Sequence, residues 1–192
     1  MQGTIVYLIG FAGTGKYTIA LEICRLTGAR LVDNHLINNP VFSLIQADGK
    51  TRLPETVWKK TWAIRHIVLD VIREISPAPF SFVFTNELID GSNDDRKLFA
   101  EVEDLAEARR AQFVPVRLLC EEEELCRRVR SPARAARFKE TNTENAREKI
   151  RNYKVLTVSH PDALDLDVTA LSASEAAQAI IAHDRALSAK QN

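Results

Sequence analysis

A glycine-rich segment near the start of the chain lies between an apolar run and an amphipathic run. GFAGTGKYT (residues 10–18) follows TIVYLI and precedes IALEICRLTG, whose apolar residues recur at helical spacing. Gly10, Gly15 and Lys16 satisfy G-x-x-x-x-G-K in the strand-then-helix context that this pattern requires. Glycines there let successive backbone N–H groups point at phosphate oxygens, and the dipole of the following helix supports the same anion. The segment therefore predicts a phosphate-binding loop rather than a plain glycine-rich turn.

Short apolar runs alternate with helical stretches along the rest of the chain. Strands are predicted in segments 4–11, 29–37, 80–89, 113–120 and 163–171, in the order β-α-β-α-β-α-β-α-α-β-α. Apolar strands that alternate with helices are typical of a parallel sheet with helices on both faces. We expect a single α/β domain over residues 1–192, a three-layer α/β/α sandwich with a five-stranded parallel sheet. Ligands of such sheets bind beyond the carboxyl ends of the strands.

Three helix starts carry local signals. Pro54 suits the first turn of a long helix. TNTE and SASE fit the capping box, in which Thr141 and Ser172 cap the N-terminus and a glutamate follows three residues later.

Composition argues against several classes of protein. Lysine plus arginine and aspartate plus glutamate both count 26, so the net charge of zero disfavours a nucleic-acid partner. No basic leader or long apolar run is present, so we expect neither a signal peptide nor a membrane span. Cys24, Cys120 and Cys126 have no ligand-like spacing, which predicts free thiols and a cytoplasmic protein. Monomer and homodimer both remain open.

The loop has an unusual residue after its lysine. The general motif places a serine or threonine there as a magnesium ligand, whereas this chain has Tyr17 followed by Thr18. The spelling G-x-x-G-x-G-K-x-T resembles the adenylate-kinase-like branch of P-loop kinases, a group that includes shikimate kinase-like and antibiotic phosphotransferase-like enzymes. The resemblance is specific in the loop and weaker along the rest of the chain.

This resemblance implies a nucleotide site with ATP and Mg²⁺ as cofactors. Thr18 would bond a phosphate oxygen and contribute to the magnesium site, while Lys16 would act in catalysis on the β- and γ-phosphates. Tyr17 would cover the nucleotide or pack beneath the loop. The expected nucleotide-binding residues of the loop are Gly10, Ala12, Gly13, Thr14, Gly15, Lys16, Tyr17 and Thr18.

The phosphate acceptor is expected beside the second strand. Asp33 lies where that strand ends, and the resemblance implies that a carboxylate there orients the acceptor hydroxyl and takes its proton. The alternative is an Asx turn or a helix cap. His35 is a further substrate-binding candidate beside a structural alternative. Arg65 would hold an acidic group of the acceptor, or would be an exposed, solvated arginine.

The third strand ends in FVFTNELID, where a P-loop protein is expected to anchor magnesium with a carboxylate. Glu87 is the first acid there, so it is predicted to bind metal, and Asn86 and Glu87 are predicted to contact substrate. Adenylate kinases close this strand with Asp-Gly, which this chain lacks. The departure counts against a nucleoside monophosphate kinase.

Arginines crowd the segment that follows the fourth strand. Five lie within residues 127–137, after the acidic run 121–124. A solvated helix accounts for the acids, but the arginines also suit a segment that closes over a transferring phosphoryl group. The resemblance implies a small lid at about 121–142, in which Arg127 or Arg128 stacks on adenine and Arg134 reaches the phosphates as a catalytic residue.

The sequence thus predicts an ATP-dependent phosphotransferase that acts on a small-molecule acceptor. Two alternatives remain at this stage. One is a nucleoside or nucleoside monophosphate kinase, and the other is a nucleotide-binding regulatory protein with little catalysis. The acceptor cannot be named, because loops that vary freely on one scaffold build such pockets.

Overall fold

The structure is a computed structural model that describes residues 1–45, 47, 51, 53–131 and 141–191. The strands are β1 (Thr4–Ile9), β2 (Arg30–Asp33), β3 (Phe82–Asn86), β4 (Gln112–Leu119) and β5 (Leu164–Asp167). The described helices are α1 (Lys16–Thr27), α2 (Asn34–Phe42), α3 (Glu55–Asp70), α4 (Asn93–Ala108), α5 (Glu122–Val129), α6 (Thr143–Asn152) and α7 (Ala173–Gln191). A 3₁₀ turn (Ser43–Ile45) follows α2, and a π-helical turn (Val71–Ile75) extends α3.

All five strands run parallel in the order β2-β3-β1-β4-β5. The predicted fold class, an α/β sandwich with a five-stranded parallel sheet, is confirmed. Asp33 pairs in register with Thr85, and Ile9 pairs with Asn86. The residues that follow β1, β2 and β3 therefore meet at one edge of the sheet.

Side chains of β1 alternate between two apolar layers, as expected for a strand covered on both faces. Ile5, Tyr7 and Ile9 pack in a cluster that also contains residues of α2, α3 and α4. Val6 and Leu8 pack in a second cluster with residues of α1 and α7. No helix in the described part of the chain has both the length and the apolar character that crossing a bilayer requires.

The second predicted strand is partly wrong. It was expected over 29–37, but β2 ends at Asp33 and α2 begins at the next residue, even though Pro40 lies within that helix. The cause is local, because the Asp33 carboxylate accepts a hydrogen bond from the His35 N–H and caps α2. Asp33 is therefore both the last residue of β2 and the residue that caps the start of α2.

The other predicted helix starts are nearly right. Pro54 directly precedes α3. Ser172 and Glu175 exchange the two hydrogen bonds of a capping box, as predicted. Thr141 is not the cap of α6, however, because the Asn142 side chain accepts from the N–H groups of Glu144 and Asn145. Asparagine is a stronger N-cap than threonine.

Arg65 on α3 is buried, contrary to the exposed alternative. Its side chain is 4% exposed, and its guanidinium donates to Glu101 at 2.8 Å and to the Leu98 carbonyl at 3.1 Å. The residue therefore ties α3 to α4, and its role in binding substrate stays a prediction.

Replacing Arg65 with methionine is expected to lower the free energy of unfolding by about 2–4 kcal/mol, because it removes the hydrogen bonds to Glu101 and Leu98 and leaves the partly buried Glu101 carboxylate with the exposed His66 as its remaining described partner. Chemical denaturation with a circular dichroism readout measures the loss. The control is Lys59→Met on the same helix, which removes an exposed pair with Glu55 and is expected to cost about 0.5 kcal/mol. Equal losses for the two variants would contradict the assignment.

Candidate active site

The glycine-rich segment forms a tight loop between β1 and α1. Gly13 and Gly15 have φ angles of 99° and 87°, in the left-handed region that glycine adopts without strain. The Thr14 hydroxyl donates to the Phe11 carbonyl at 2.9 Å and closes the turn. The loop thus ends at the N-terminus of α1, where backbone N–H groups and the helix dipole favour an anion.

Gly13 also allows α5 to approach the loop closely. A Cβ atom at this position would lie 2.9 Å from carbon atoms of both Leu125 and Val129. The loop is therefore packed directly against the helix that begins the predicted lid.

Replacing Gly13 with alanine is expected to destabilise the protein by about 1–3 kcal/mol, because the residue combines positive φ with this close contact. Nucleotide affinity should fall as well, since the loop must shift. Thermal unfolding and titration with a non-hydrolysable ATP analogue measure both effects. Gly91→Ala is the control, because Gly91 has φ 82° and an added Cβ there would meet nothing within 4 Å, so it isolates the backbone strain. An alanine at Gly13 that costs no more than one at Gly91 would contradict the packing argument.

Two polar side chains of α1 turn back onto the loop. The Lys16 ammonium donates to the carbonyls of Gly10 and Phe11 at 2.6 and 2.9 Å. The exposed Thr18 hydroxyl donates to the Gly15 carbonyl at 2.8 Å. Tyr17, between them, is partly exposed. Both side chains thus bond carbonyl groups of the loop itself, and their predicted contacts with a nucleotide and magnesium stay predictions.

Glu87, just beyond β3, lies against the loop. One of its carboxylate oxygens accepts the Ala12 N–H at 2.7 Å, and the other accepts the Lys149 ammonium at 2.7 Å. Burial acts to raise the pKa of this carboxyl, but the charges of Lys149 and Lys16 and the two hydrogen bonds outweigh it and hold the pKa below its usual range. Glu87 is therefore ionised and joins the loop to α6.

Asp33 lies at the same edge of the sheet and is 3% exposed. Its carboxylate accepts the Thr85 hydroxyl at 2.5 Å and the His35 N–H at 3.2 Å. The capping alternative is thus confirmed, and contact with an acceptor stays a prediction. A carboxylate oxygen has more than one lone pair, so capping and acceptor binding are compatible.

His35 and Asn86 share this edge. His35 is partly exposed in the first turn of α2, and Asn86 is buried at the end of β3. The Asn86 carbonyl accepts the Gly10 N–H at 3.3 Å, so Asn86 directly supports the start of the loop. Their predicted contacts with substrate remain untested.

The two candidate adenine-stacking arginines differ in their surroundings. Arg128 donates to the carbonyls of Val168 and Thr169, in the turn between β5 and α7, and also to Glu124. Arg127 is 73% exposed and pairs with the same Glu124. Arg128 therefore fixes α5 to the turn after β5, while Arg127 lies at the surface.

Part of the predicted lid lies outside the described residues. The lid residues outside the described part include Arg134, which was predicted to be catalytic, and its neighbours Pro132, Arg137 and Lys139.

Lys149 is the site residue that sequence reasoning missed. It lies on α6, 62 residues from Glu87 along the chain. Its segment, TENAREKIRN, reads as an ordinary charged helix with no motif. Only its contact with Glu87 in the folded chain reveals its place near the loop.

Three solved kinase or resistance-protein structures are similar to this fold. A gluconokinase from Sinorhizobium meliloti 1021 has a TM-score of 0.64 at 14% identity, covering 98% of this chain and 95% of that one. The tunicamycin resistance protein of Deinococcus radiodurans has a TM-score of 0.58 at 16% identity, covering 93% and 94%. A shikimate kinase from Acinetobacter baumannii, in complex with shikimate, has a TM-score of 0.52 at 14% identity, covering 98% and 96%.

Neither a protein-family model nor a curated protein sequence matches the chain. The structural likeness extends over nearly the whole chain at low sequence identity. The chain therefore has the fold of the P-loop small-molecule kinases, as the glycine-rich segment predicted.

Proposed function

We propose that this chain, which has the fold of the P-loop small-molecule kinases, is an ATP-dependent phosphotransferase that acts on a small-molecule acceptor. The observation that carries the proposal is the meeting of three groups at one edge of the sheet. These are the glycine loop with Lys16, the Asp33 carboxylate at the end of β2 and the Glu87 carboxylate after β3. A cation beside a carboxylate suits the transfer of a phosphoryl group to a hydroxyl.

The loop fits the phosphates of a nucleotide. Its positive-φ glycines and its place at the start of α1 provide the anion-binding backbone, and Glu87 already brings a negative charge to the Ala12 N–H. The loop would hold the nucleotide through residues 10–18, with Lys16 turning from the loop carbonyls to the β- and γ-phosphates. We infer that Lys16 stabilises charge on the transferring group.

Magnesium bound with the nucleotide would neutralise phosphate charge. Thr18 and Glu87 offer the hard oxygen donors that this ion prefers, and phosphate oxygens and water would supply the other ligands. No group of three or more metal-binding side chains converges within the part of the chain that the structure describes.

Asp33 is the proposed base for the acceptor. Its carboxylate would orient the acceptor hydroxyl and take its proton while the hydroxyl oxygen bonds to the γ-phosphorus and the bond to the β-phosphate oxygen breaks. His35 and Asn86 lie on the same edge and would contact the acceptor. Thr85 holds Asp33 by its hydroxyl, so the carboxylate is fixed before the acceptor arrives.

The lid completes the proposal. Because Arg128 is bound to backbone carbonyls beyond β5, Arg127 is the arginine left to stack on adenine. Arg134 would close over the phosphates, by resemblance to the kinases of this fold.

Free thiols at Cys24, Cys120 and Cys126 suit a reducing cytoplasm.

A panel of acceptors tests the proposal. ADP release is measured by a coupled assay with nucleosides, nucleoside monophosphates, sugars, sugar acids, aminoglycosides and shikimate-like acids. Release that depends on a non-nucleotide acceptor supports the proposal. Release that depends only on nucleosides or their monophosphates favours a nucleotide kinase. Nucleotide binding with no release for any acceptor favours a regulatory protein.

A further inference from the structure

Glu87 places a carboxylate against the backbone of the glycine loop. Its Oε2 lies 2.7 Å from the Ala12 nitrogen, which is a normal distance for a charge-assisted hydrogen bond. The Ala12 N–H belongs to the same glycine loop whose backbone suits phosphate oxygens. A carboxylate oxygen and a phosphate oxygen can both accept a hydrogen bond from a backbone N–H group, because both are anionic acceptors.

The carboxylate is held in this place from the other side as well. The Lys149 ammonium donates to Oε1 at 2.7 Å, and the side chains of Glu87 and Lys149 are 23% and 38% exposed. Glu87 therefore bridges the loop and α6, and the Lys16 charge lies near enough to lower its pKa further. Lys149 and Lys16 thus already have one negative charge of the chain near them.

We propose that Glu87 is an internal substitute for phosphate, which must leave the Ala12 N–H before the phosphates of a nucleotide bind, and that Lys149 holds it there. This inference rests on the proposed function only in taking a nucleotide phosphate as the ligand of the loop. It gives Glu87 a regulatory effect on affinity besides any contact with magnesium. Once displaced, Glu87 becomes available to water around the metal.

The proposal predicts the direction in which affinity changes. Glu87→Gln replaces the charge-assisted hydrogen bond by a weaker neutral one and removes a negative charge that repels the incoming phosphates. It also leaves the Lys149 charge unmatched. Binding of a polyphosphate should therefore tighten by about tenfold.

Isothermal titration calorimetry of the full chain with a non-hydrolysable ATP analogue, and separately with inorganic tripolyphosphate, tests this. EDTA is present, so that magnesium binding by Glu87 does not contribute. The control is Glu148→Gln, which removes the same charge from an exposed position beside Lys149. Thermal unfolding checks that each variant is folded, and Glu87→Ala replaces Glu87→Gln if the latter unfolds.

Binding at least fivefold tighter in the Glu87 variant, with Glu148→Gln within twofold of the unchanged chain, supports the proposal. Equal or weaker binding in the Glu87 variant overturns it, as does an equal gain in both variants. The two proposals fail separately. Acceptor phosphorylation by the unchanged chain without tighter binding in the variant removes only this inference, whereas tighter binding without transfer to any acceptor removes only the proposed function.

Discussion

Replacing Lys16 with alanine is expected to reduce phosphate transfer by about 100- to 1,000-fold, the loss typical when one preorganised donor to transition-state charge is removed. Lys16 directly follows Gly15 in the loop, and its ammonium reaches the carbonyls of Gly10 and Phe11. The same flexible side chain would reach the phosphates of a bound nucleotide. Alanine keeps α1 intact because it is the best helix former, so the expected loss is in turnover rather than in folding.

The Lys16 experiment requires a matched control. Lys97→Ala removes the same charge from an exposed position on α4, where the lysine pairs only weakly with Asp94 in the described contacts. Steady-state ADP release and transfer are measured for both variants, with thermal unfolding to verify the fold. Transfer at the unchanged rate in Lys16→Ala would contradict the loop's assigned role, whereas an equal loss in Lys97→Ala would indicate a general electrostatic effect.

Replacing Asp33 with asparagine is expected to reduce transfer by about 100- to 10,000-fold while nucleotide affinity stays within a few fold, as for the loss of a general base. The structure makes this substitution informative. Asparagine is as good an N-cap as aspartate, so α2 should still begin at residue 34. Asp33 uses one carboxylate oxygen for the cap and the other for the Thr85 hydroxyl, so the single oxygen of asparagine keeps the cap while its NH2 group can donate to the Thr85 oxygen.

Asp33→Ala separates capping from chemistry. This variant removes the cap and is expected to lose about 0.5–2 kcal/mol of stability that Asp33→Asn retains. Single-turnover transfer, nucleotide titration and thermal unfolding are measured for both. If Asp33→Asn loses nucleotide binding and transfer equally, or loses neither, Asp33 has a structural role only.

The fold was predictable from the sequence because its signals are local and repeated. The strands β1, β3 and β4 are mostly apolar runs close to their predicted places. β1 also leads directly into a glycine pattern that requires a strand before it and a helix after it. The boundary at β2 was missed because Asp33 serves two elements at once. It is the last residue of the strand and the cap of α2, and helix-forming residues there are outnumbered by asparagines.

The site was predictable only where one motif contains it. The loop residues could be named because their spacing in the sequence defines the phosphate-binding motif. The surroundings of Lys149 and Arg65, in contrast, depend on contacts between distant segments. Arg65 meets Glu101 across 36 residues, and Lys149 meets Glu87 across 62. Nothing in the local sequence distinguishes a buried arginine from a solvated one, since the difference depends on how α3 and α4 pack.

The most direct test of the central claim is the fate of the terminal phosphate. The chain is incubated with ATP labelled at the γ-phosphate, magnesium and each acceptor of the panel, and the products are separated. We expect label on a small-molecule acceptor, with the label lost in Lys16→Ala. Label found only in inorganic phosphate, or only in ATP despite measurable nucleotide binding, would contradict the account of this chain as a phosphotransferase.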